Sequence, residues 1–201
     1  MKLGFDLDGV LAQFNESFYE LLRGRHGDRF PKGYEACNPP CWEWPRYFGY
    51  TKEEEEACWQ EVWNGRTFWQ HLAVIDGEER TIHKLNSLNG HDGHEIHFIT
   101  NRRGKAVQYQ SAEFLWQNGF RHPSVIIARD KYPIIKALKL DAYIDDKIET
   151  ANELARVKEE GFLDGDPRIY LRHTLHNREN RHPGLIVVEN VWEMLEKEGL
   201  V

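Results

Sequence analysis

Three cysteines in 201 residues cannot pair completely, and Cys37 and Cys41 lack the second pair or histidine series that would complete a zinc site. Cys37, Cys41 and Cys58 are therefore expected as reduced, structural thiols. Basic residues are also in the minority. Lys and Arg number 26 against 33 Asp and Glu, the formal charge is −7, and no basic run offers a track for a nucleic acid backbone. That argues against a polymeric nucleic acid as partner. No apolar stretch approaches the roughly 18 to 20 residues that cross a bilayer. Asp6 also interrupts the opening apolar run before it can serve as a secretory signal, so a cytoplasmic chain with no membrane partner is expected. Internal repeats and low-complexity linkers are missing too. With 40% hydrophobic residues, the chain can build one compact core and an inserted substructure.

What is present is an alternation of short apolar runs with helical patterns, which predicts an α/β fold: a Rossmann-like parallel sheet with helices on both faces. Strands are expected at 2–5, 95–99, 124–128, 141–144, 168–171 and 185–188. Helices are expected at about 15–23, 105–117, 131–138, 149–159 and 191–197, with Pro133 tolerated in a first turn. Histidines 91, 94 and 97 gather around Asp92 and Gly93. They read as a turn into a strand, with His94 and His97 on opposite faces.

Residues 26–76 break the rhythm. Nine aromatics lie between Trp42 and Trp69, among the turn formers Asn38, Pro39, Pro40 and Pro45. This segment reads as a small, mainly helical cap with its own core, inserted after the first strand into a catalytic domain made of 1–25 and 77–201. Its one clear helix has Thr51 as N-cap, with Glu54 completing a capping box, and runs to about Trp63. Leaving after Asp8 and returning before Gly77, the insert is expected as a lid over the carboxyl ends of the strands.

Those ends carry Asp6, Asp8, Thr100, Lys131, Asp145 and Asp146. Four carboxylates together repel one another unless a cation intervenes, and an all-oxygen donor set suits magnesium better than zinc. A divalent ion beside a lysine and a hydroxyl is what a phosphoryl group in transfer requires.

The run Phe5-Asp6-Leu7-Asp8-Gly9-Val10, followed in order by Ile99-Thr100, Lys131 and Asp145-Asp146, resembles the four signatures of the haloacid dehalogenase superfamily of phosphohydrolases. Over nearly its whole length the chain most resembles the 5'-(3')-deoxyribonucleotidases and their bacterial and phage relatives. The matching segments are 8–14, 68–77, 129–131 and 144–146, together with His176-Asn177.

The resemblance implies a magnesium-dependent phosphomonoesterase, a 5'-nucleotidase for ribo- or deoxyribonucleoside monophosphates that works through an aspartyl phosphate. Asp6 is then the nucleophile and Asp8 the general acid and base. Thr100 donates to a phosphoryl oxygen, aided by amides at the start of the next helix, and Lys131, preferred to Lys136, offsets charge. Magnesium is held by Asp6, the Asp8 carbonyl and the Asp145/Asp146 pair, with Asp146 favoured as the direct ligand. Phe14, Phe68 and Trp69 stand where the resembled enzymes stack the base, or else simply form the lid core.

The chain departs from the animal enzymes after Thr100, where Asn101 and Arg102 replace Ser and Pro. Asn101 is expected as a substrate-binding residue, and Arg102 either binds phosphate or lies on the solvent side of the helix start. A phosphatase for another small phosphate ester such as a sugar phosphate is the alternative, and the aromatic lid argues for the nucleotide. A phosphoacceptor or binding module is more distant, because receiver-type modules carry their acidic pair and phosphorylated Asp on different strands.

Overall fold

The computed structural model describes residues 1–30, 38–90 and 93–201. Cys37, His91 and Asp92 lie outside the described residues. Six strands, β1 (Lys2–Phe5), β2 (Glu95–Thr100), β3 (Ser124–Ile127), β4 (Ala142–Asp145), β5 (Arg168–Arg172) and β6 (Ile186–Val188), form one parallel sheet in the order β3-β2-β1-β4-β5-β6. Among the described residues eight α-helices fill the connections. They are α1 (Phe14–His26), α2 (Trp44–Tyr47), α3 (Lys52–Asn64), α4 (Glu78–Gly90), α5 (Val107–Gln117), α6 (Tyr132–Leu138), α7 (Ile148–Glu159) and α8 (Val191–Lys197). None is long and apolar enough to cross a membrane.

The strands read as continuous apolar runs because both faces of the sheet are covered. Successive side chains alternate faces. Phe5, Phe98, Ile144 and Tyr170 enter one apolar cluster with Leu85 of α4, Phe114 of α5 and Met194 of α8. Ile99, Tyr143, Ile169 and Leu171 enter a second cluster with Ile135 of α6 and Leu154 of α7. Helix α4 has no counterpart among the sequence expectations. Its polar sequence, EERTIHKLNSLNG, hides a stripe at Ile82, Leu85 and Leu88, spaced three apart and all buried.

The segment between β1 and α4 is pinned at both ends. Ala12 pairs antiparallel with Val74, while Gln13 N–H donates to Ala73 at 2.8 Å and Ile75 N–H to Leu11 at 2.9 Å. Helix α1 packs on α3, and Phe18, Trp44, Cys58 and Val62 join the same contiguous cluster as the sheet residues on that face. The insert's core and the main core are thus one body of apolar side chains.

The capping box expected at Thr51 is present: its hydroxyl accepts from Glu54 N–H at 3.2 Å, and the Glu54 carboxylate accepts from Thr51 N–H at 2.8 Å. Thr51→Ala removes one of these bonds and is expected to cost about 1 kcal/mol, read as a lower denaturation midpoint, whereas Thr51→Ser keeps the acceptor and stays near wild type.

Candidate active site

The sheet order places β1 between β2 and β4, which lead the chain in opposite directions. The crevice outside the carboxyl ends of such strands is where ligands bind. Asp6 follows β1 directly, and its N–H donates to Ile144 at 3.0 Å, extending the pairing by one residue. The chain then turns sharply: Leu7 C=O accepts from the N–H groups of Val10, Leu11 and Ala12 at 3.2, 2.8 and 2.8 Å. Gly9 sits in the left-handed region at φ +75°, and a Cβ there would lie 2.0 Å from Asp146 Oδ2. Both the turn and the close approach require glycine.

Lys131 Nζ stands 3.1 Å from Asp6 Oδ1 and 2.7 Å from Asp145 Oδ2, all of them buried. Lys136 instead approaches the Tyr132 hydroxyl, within its own helix. Asp145 is saturated by protein donors. Oδ2 accepts from Lys131 and from the Tyr143 hydroxyl at 2.9 Å, and Oδ1 from Lys147 N–H at 2.8 Å.

Carboxylate oxygens of Asp6, Asp145 and Asp146 lie within 4.8 Å of one another. Burial pushes the Asp6 carboxyl up to about 7 against the pull of Lys131, with Asp145 and Asp8 adding to the rise. Burial, reinforced by Asp145 and Asp6, holds Asp146 well above the ordinary carboxylate range. Burial alone would lower the Lys131 ammonium, but the two carboxylates outweigh it and raise it. One cation among three buried acids leaves a charge deficit, and a hard divalent ion on oxygen ligands fits this donor set.

Thr100 ends β2 with its hydroxyl buried and without a protein hydrogen-bond partner, beside the same crevice. A buried orphan donor of this kind points to a ligand. The helix expected from about residue 105 begins at Val107, after Ala106 adopts φ +51°. The amides nearest Thr100 are therefore those of the loop through Asn101, rather than a helix start. Asn101 is exposed and lines the crevice. Arg102 is buried, and its guanidinium meets the Asp8 carboxylate with N–O distances of 2.8 to 3.2 Å.

Above the polar floor opens a cavity of about 490 Å³. Phe14 and Trp69 line it. Phe14 is flanked by near-parallel indoles, Trp59 at 5.4 Å and Trp69 at 5.7 Å between ring centroids, and Trp63 continues the row beyond Trp59. Phe68 is not on the cavity wall and sets its ring edge-on to Phe14 and Trp69. Trp69 is tied to the core: its N–H donates to Gln110 Oε1 and its indole N–H to Arg103 C=O, both at 3.0 Å.

Several lining or supporting residues escaped the sequence reading. Trp59 was hidden in an aromatic-rich helix. Trp42, half exposed at the mouth, has Lys147 over its ring and meets His176 edge-on. His176 is pushed down to about 4, chiefly by burial, and so stands neutral 3.8 Å from Asp146 Oδ2. Asn177, wholly buried, donates from one amide to the carbonyls of Asp146 at 2.8 Å and Arg172 at 2.7 Å. The His-Asn pair did carry a signal in the sequence, as part of the resemblance, but no role.

Because Asp6 binds its proton more tightly in the folded protein (about 7 against 3.8), its contribution to metal-free stability is full below the lower value and lost as pH rises towards the higher. In chelator, the wild-type melting temperature is expected to fall more steeply between these values than that of Asp6→Asn, and a divalent cation at neutral pH to restore it in wild type. Equal slopes in the two proteins would contradict this.

No family model matches the chain. A protein of Oceanobacillus iheyensis, provisionally named a nucleotidase, is 26% identical over 165 residues, covering 78% of this chain and 82% of its own. Among solved structures, a provisionally named haloacid dehalogenase-like hydrolase of Burkholderia xenovorans LB400 aligns at TM-score 0.57 and 10% identity, covering 98% of this chain and 96% of that one. A haloacid dehalogenase-like family hydrolase of Xanthomonas campestris aligns at TM-score 0.50 and 14% identity, covering 100% and 95%. The fold of this chain is therefore that of haloacid dehalogenase-like hydrolases, and over most of its length its sequence is similar to a protein named as a nucleotidase.

Proposed function

We propose that the protein is a magnesium-dependent phosphomonoesterase that hydrolyses ribo- or deoxyribonucleoside 5'-monophosphates through an aspartyl phosphate on Asp6. The observation that carries this reading is a single cavity with the acid-lysine cluster and the unpartnered Thr100 hydroxyl as its floor and a row of aromatic rings as its wall. The floor suits a phosphoryl group and the wall suits a flat base. Unpaired Cys41 and Cys58 support a cytoplasmic setting.

In the first half-reaction an Asp6 oxygen attacks phosphorus, the ester P–O bond breaks, and Asp8 gives its proton to the leaving oxygen. In the second, water attacks phosphorus, its proton passes to Asp8, and the bond from Asp6 to phosphorus breaks to release inorganic phosphate. Asp8 is thereby restored. Thr100 and the Asn101 loop amides donate to phosphoryl oxygens, and Lys131 balances charge on Asp6 and the phosphoryl group. The Asp6 carboxylate, the Asp8 carbonyl and Asp146 would hold magnesium, which would supply the remaining charge neutralisation. Asp146 is preferred as direct ligand because both oxygens of Asp145 are taken by Lys131, Tyr143 and Lys147. The base packs along the wall formed by Phe14, Trp59 and Trp69, with Phe68 buttressing it.

The test is phosphate release from a panel of nucleoside monophosphates and sugar phosphates, with magnesium or with chelator. Nucleotides are expected to turn over fastest, chelator to abolish the reaction, and Asp6→Asn to lose at least roughly 10³-fold. A preference for sugar phosphates would sink the nucleotide reading. Asn177→Ala, which frees the carbonyl of Asp146, is expected to raise the magnesium needed for half-maximal thermal stabilisation by roughly tenfold or more; an unchanged requirement would remove Asn177 from the site's support.

A further inference from the structure

An arginine two residues after Thr100 is well placed, by sequence, to grip phosphate, yet its donors are directed elsewhere. The Arg102 side chain is 0% exposed, while that of Asp8 is 21% exposed. Nε donates to Asp8 Oδ2 at 3.0 Å and Oδ1 at 3.2 Å, and Nη2 to Oδ1 at 2.8 Å. Nη1 donates to Ser111 Oγ at 3.1 Å and to Trp69 C=O at 3.5 Å. The guanidinium carbon lies 5.1 Å from the Trp69 ring centroid and 5.4 Å from that of Phe114. Ser111 and Phe114 are three apart on α5, one helical face that holds the group from below while Trp69 holds it from the insert.

Such a fork fixes both the plane and the direction of the carboxylate it grips, which a lysine's single point charge does not. The partner it fixes is the residue assigned to proton transfer. The same guanidinium also touches Trp69, the point where the returning insert is hydrogen-bonded to α5.

We propose that Arg102 is a positioning residue for Asp8, not a phosphate ligand, and that through Trp69 it ties the orientation of Asp8 to the seating of the insert. This rests on the reading of Asp8 as the proton donor and acceptor of a phosphatase. Protonating the leaving oxygen matters greatly when that oxygen is an alkoxide and little when it is a nitrophenolate. Removing Arg102 should therefore discriminate between esters by leaving group.

The experiment uses the full chain with magnesium and compares a nucleoside monophosphate with 4-nitrophenyl phosphate. For Arg102→Met, kcat/KM on the nucleotide is expected to fall by roughly 100-fold, and on the aryl ester by less than about tenfold. The aryl ester is also expected to show a burst near one equivalent of nitrophenolate, because water attack then waits on a mispositioned base. Arg102→Lys is expected to behave like Arg102→Met, and Ser111→Ala to show the same selectivity at smaller size.

Equal losses on both esters, accompanied by weaker inhibition by inorganic phosphate, would overturn the proposal in favour of a phosphate ligand. If Arg102→Met fails to fold, Ser111→Ala decides: a non-selective loss, or none, overturns it. Failure of the underlying reading shows in the wild type alone. If wild type prefers another alkyl phosphate, the same comparison is run on that ester. If it hydrolyses no phosphate ester, both the phosphatase reading and this proposal fall.

Discussion

Three buried carboxyl groups at the ends of the adjacent strands β1 and β4 meet one buried ammonium, that of Lys131 at the start of α6, and that imbalance organises what surrounds it. Like charges in a low-dielectric site repel strongly, and burial itself raises Asp6 and Asp146. The protein meets part of the deficit with neutral donors. Tyr143 hydroxyl and Lys147 N–H join Lys131 on Asp145, and Leu7 N–H donates to Asp6 Oδ1 at 2.8 Å. The turn at Gly9 must leave room for the Asp146 carboxylate, and Arg172 on β5 ties that turn down by donating to Gly9 C=O at 2.7 Å. The backbone of Asp146 is in turn anchored by Asn177. Each contact brings donors or rigidity to a site whose charge the protein alone does not balance.

The segment between β1 and α4 solves a different problem, that of walling the cavity without a second independent core. Its ends are joined in a short antiparallel pairing, so the excursion adds no loose linker. Its rings continue the apolar cluster of the sheet face, and the row from Trp69 through Phe14 and Trp59 to Trp63 runs from the core-anchored return segment into α3. The wall over the polar floor is thus built from the same side chains that hold the insert in place. A lid that swings as a whole would have to break the two hydrogen bonds of Trp69 as well as this packing.

The strand ends were legible in the sequence because a parallel strand buried on both faces is a short apolar run that stops at its functional residue: Phe5 before Asp6, Ile99 before Thr100, Ile144 before Asp145. Glycine at position 9 and the Thr51 capping box were legible for local reasons, a turn and a cap. Helix α4 was not, since its apolar stripe is only Ile82, Leu85 and Leu88 in an otherwise polar sequence. Nor were the tertiary partners. Nothing local ties Asn177 to a carbonyl 31 residues away, Ser111 to Arg102, or the two faces of Phe14 to indoles 45 and 55 positions on. For Arg102 the sequence left two options, phosphate or solvent, and the structure gives a third because Asp8 lies 94 residues earlier in the chain.

The two aspartates of the first signature, separated by one residue, end in opposite electrostatic settings. Asp6 faces other acids and shares Lys131 with Asp145, and burial among them holds its carboxyl above the ordinary range. Asp8 instead meets a guanidinium that also lies near two aromatic rings, so a cation of the protein itself faces it. Carboxyl groups so close in sequence take different chemical roles when their surroundings differ in this way. On the proposed reading, Asp6 is the residue that a cation and an incoming phosphoryl group would neutralise. For Asp8, what the proposed partner Arg102 supplies is direction. On the proposed reading, the departure from the Ser-Pro of the resembled animal enzymes to Asn-Arg after Thr100 bears on how Asp8 is held, while Asp6, Thr100 and Lys131 keep the places that the resemblance gives them.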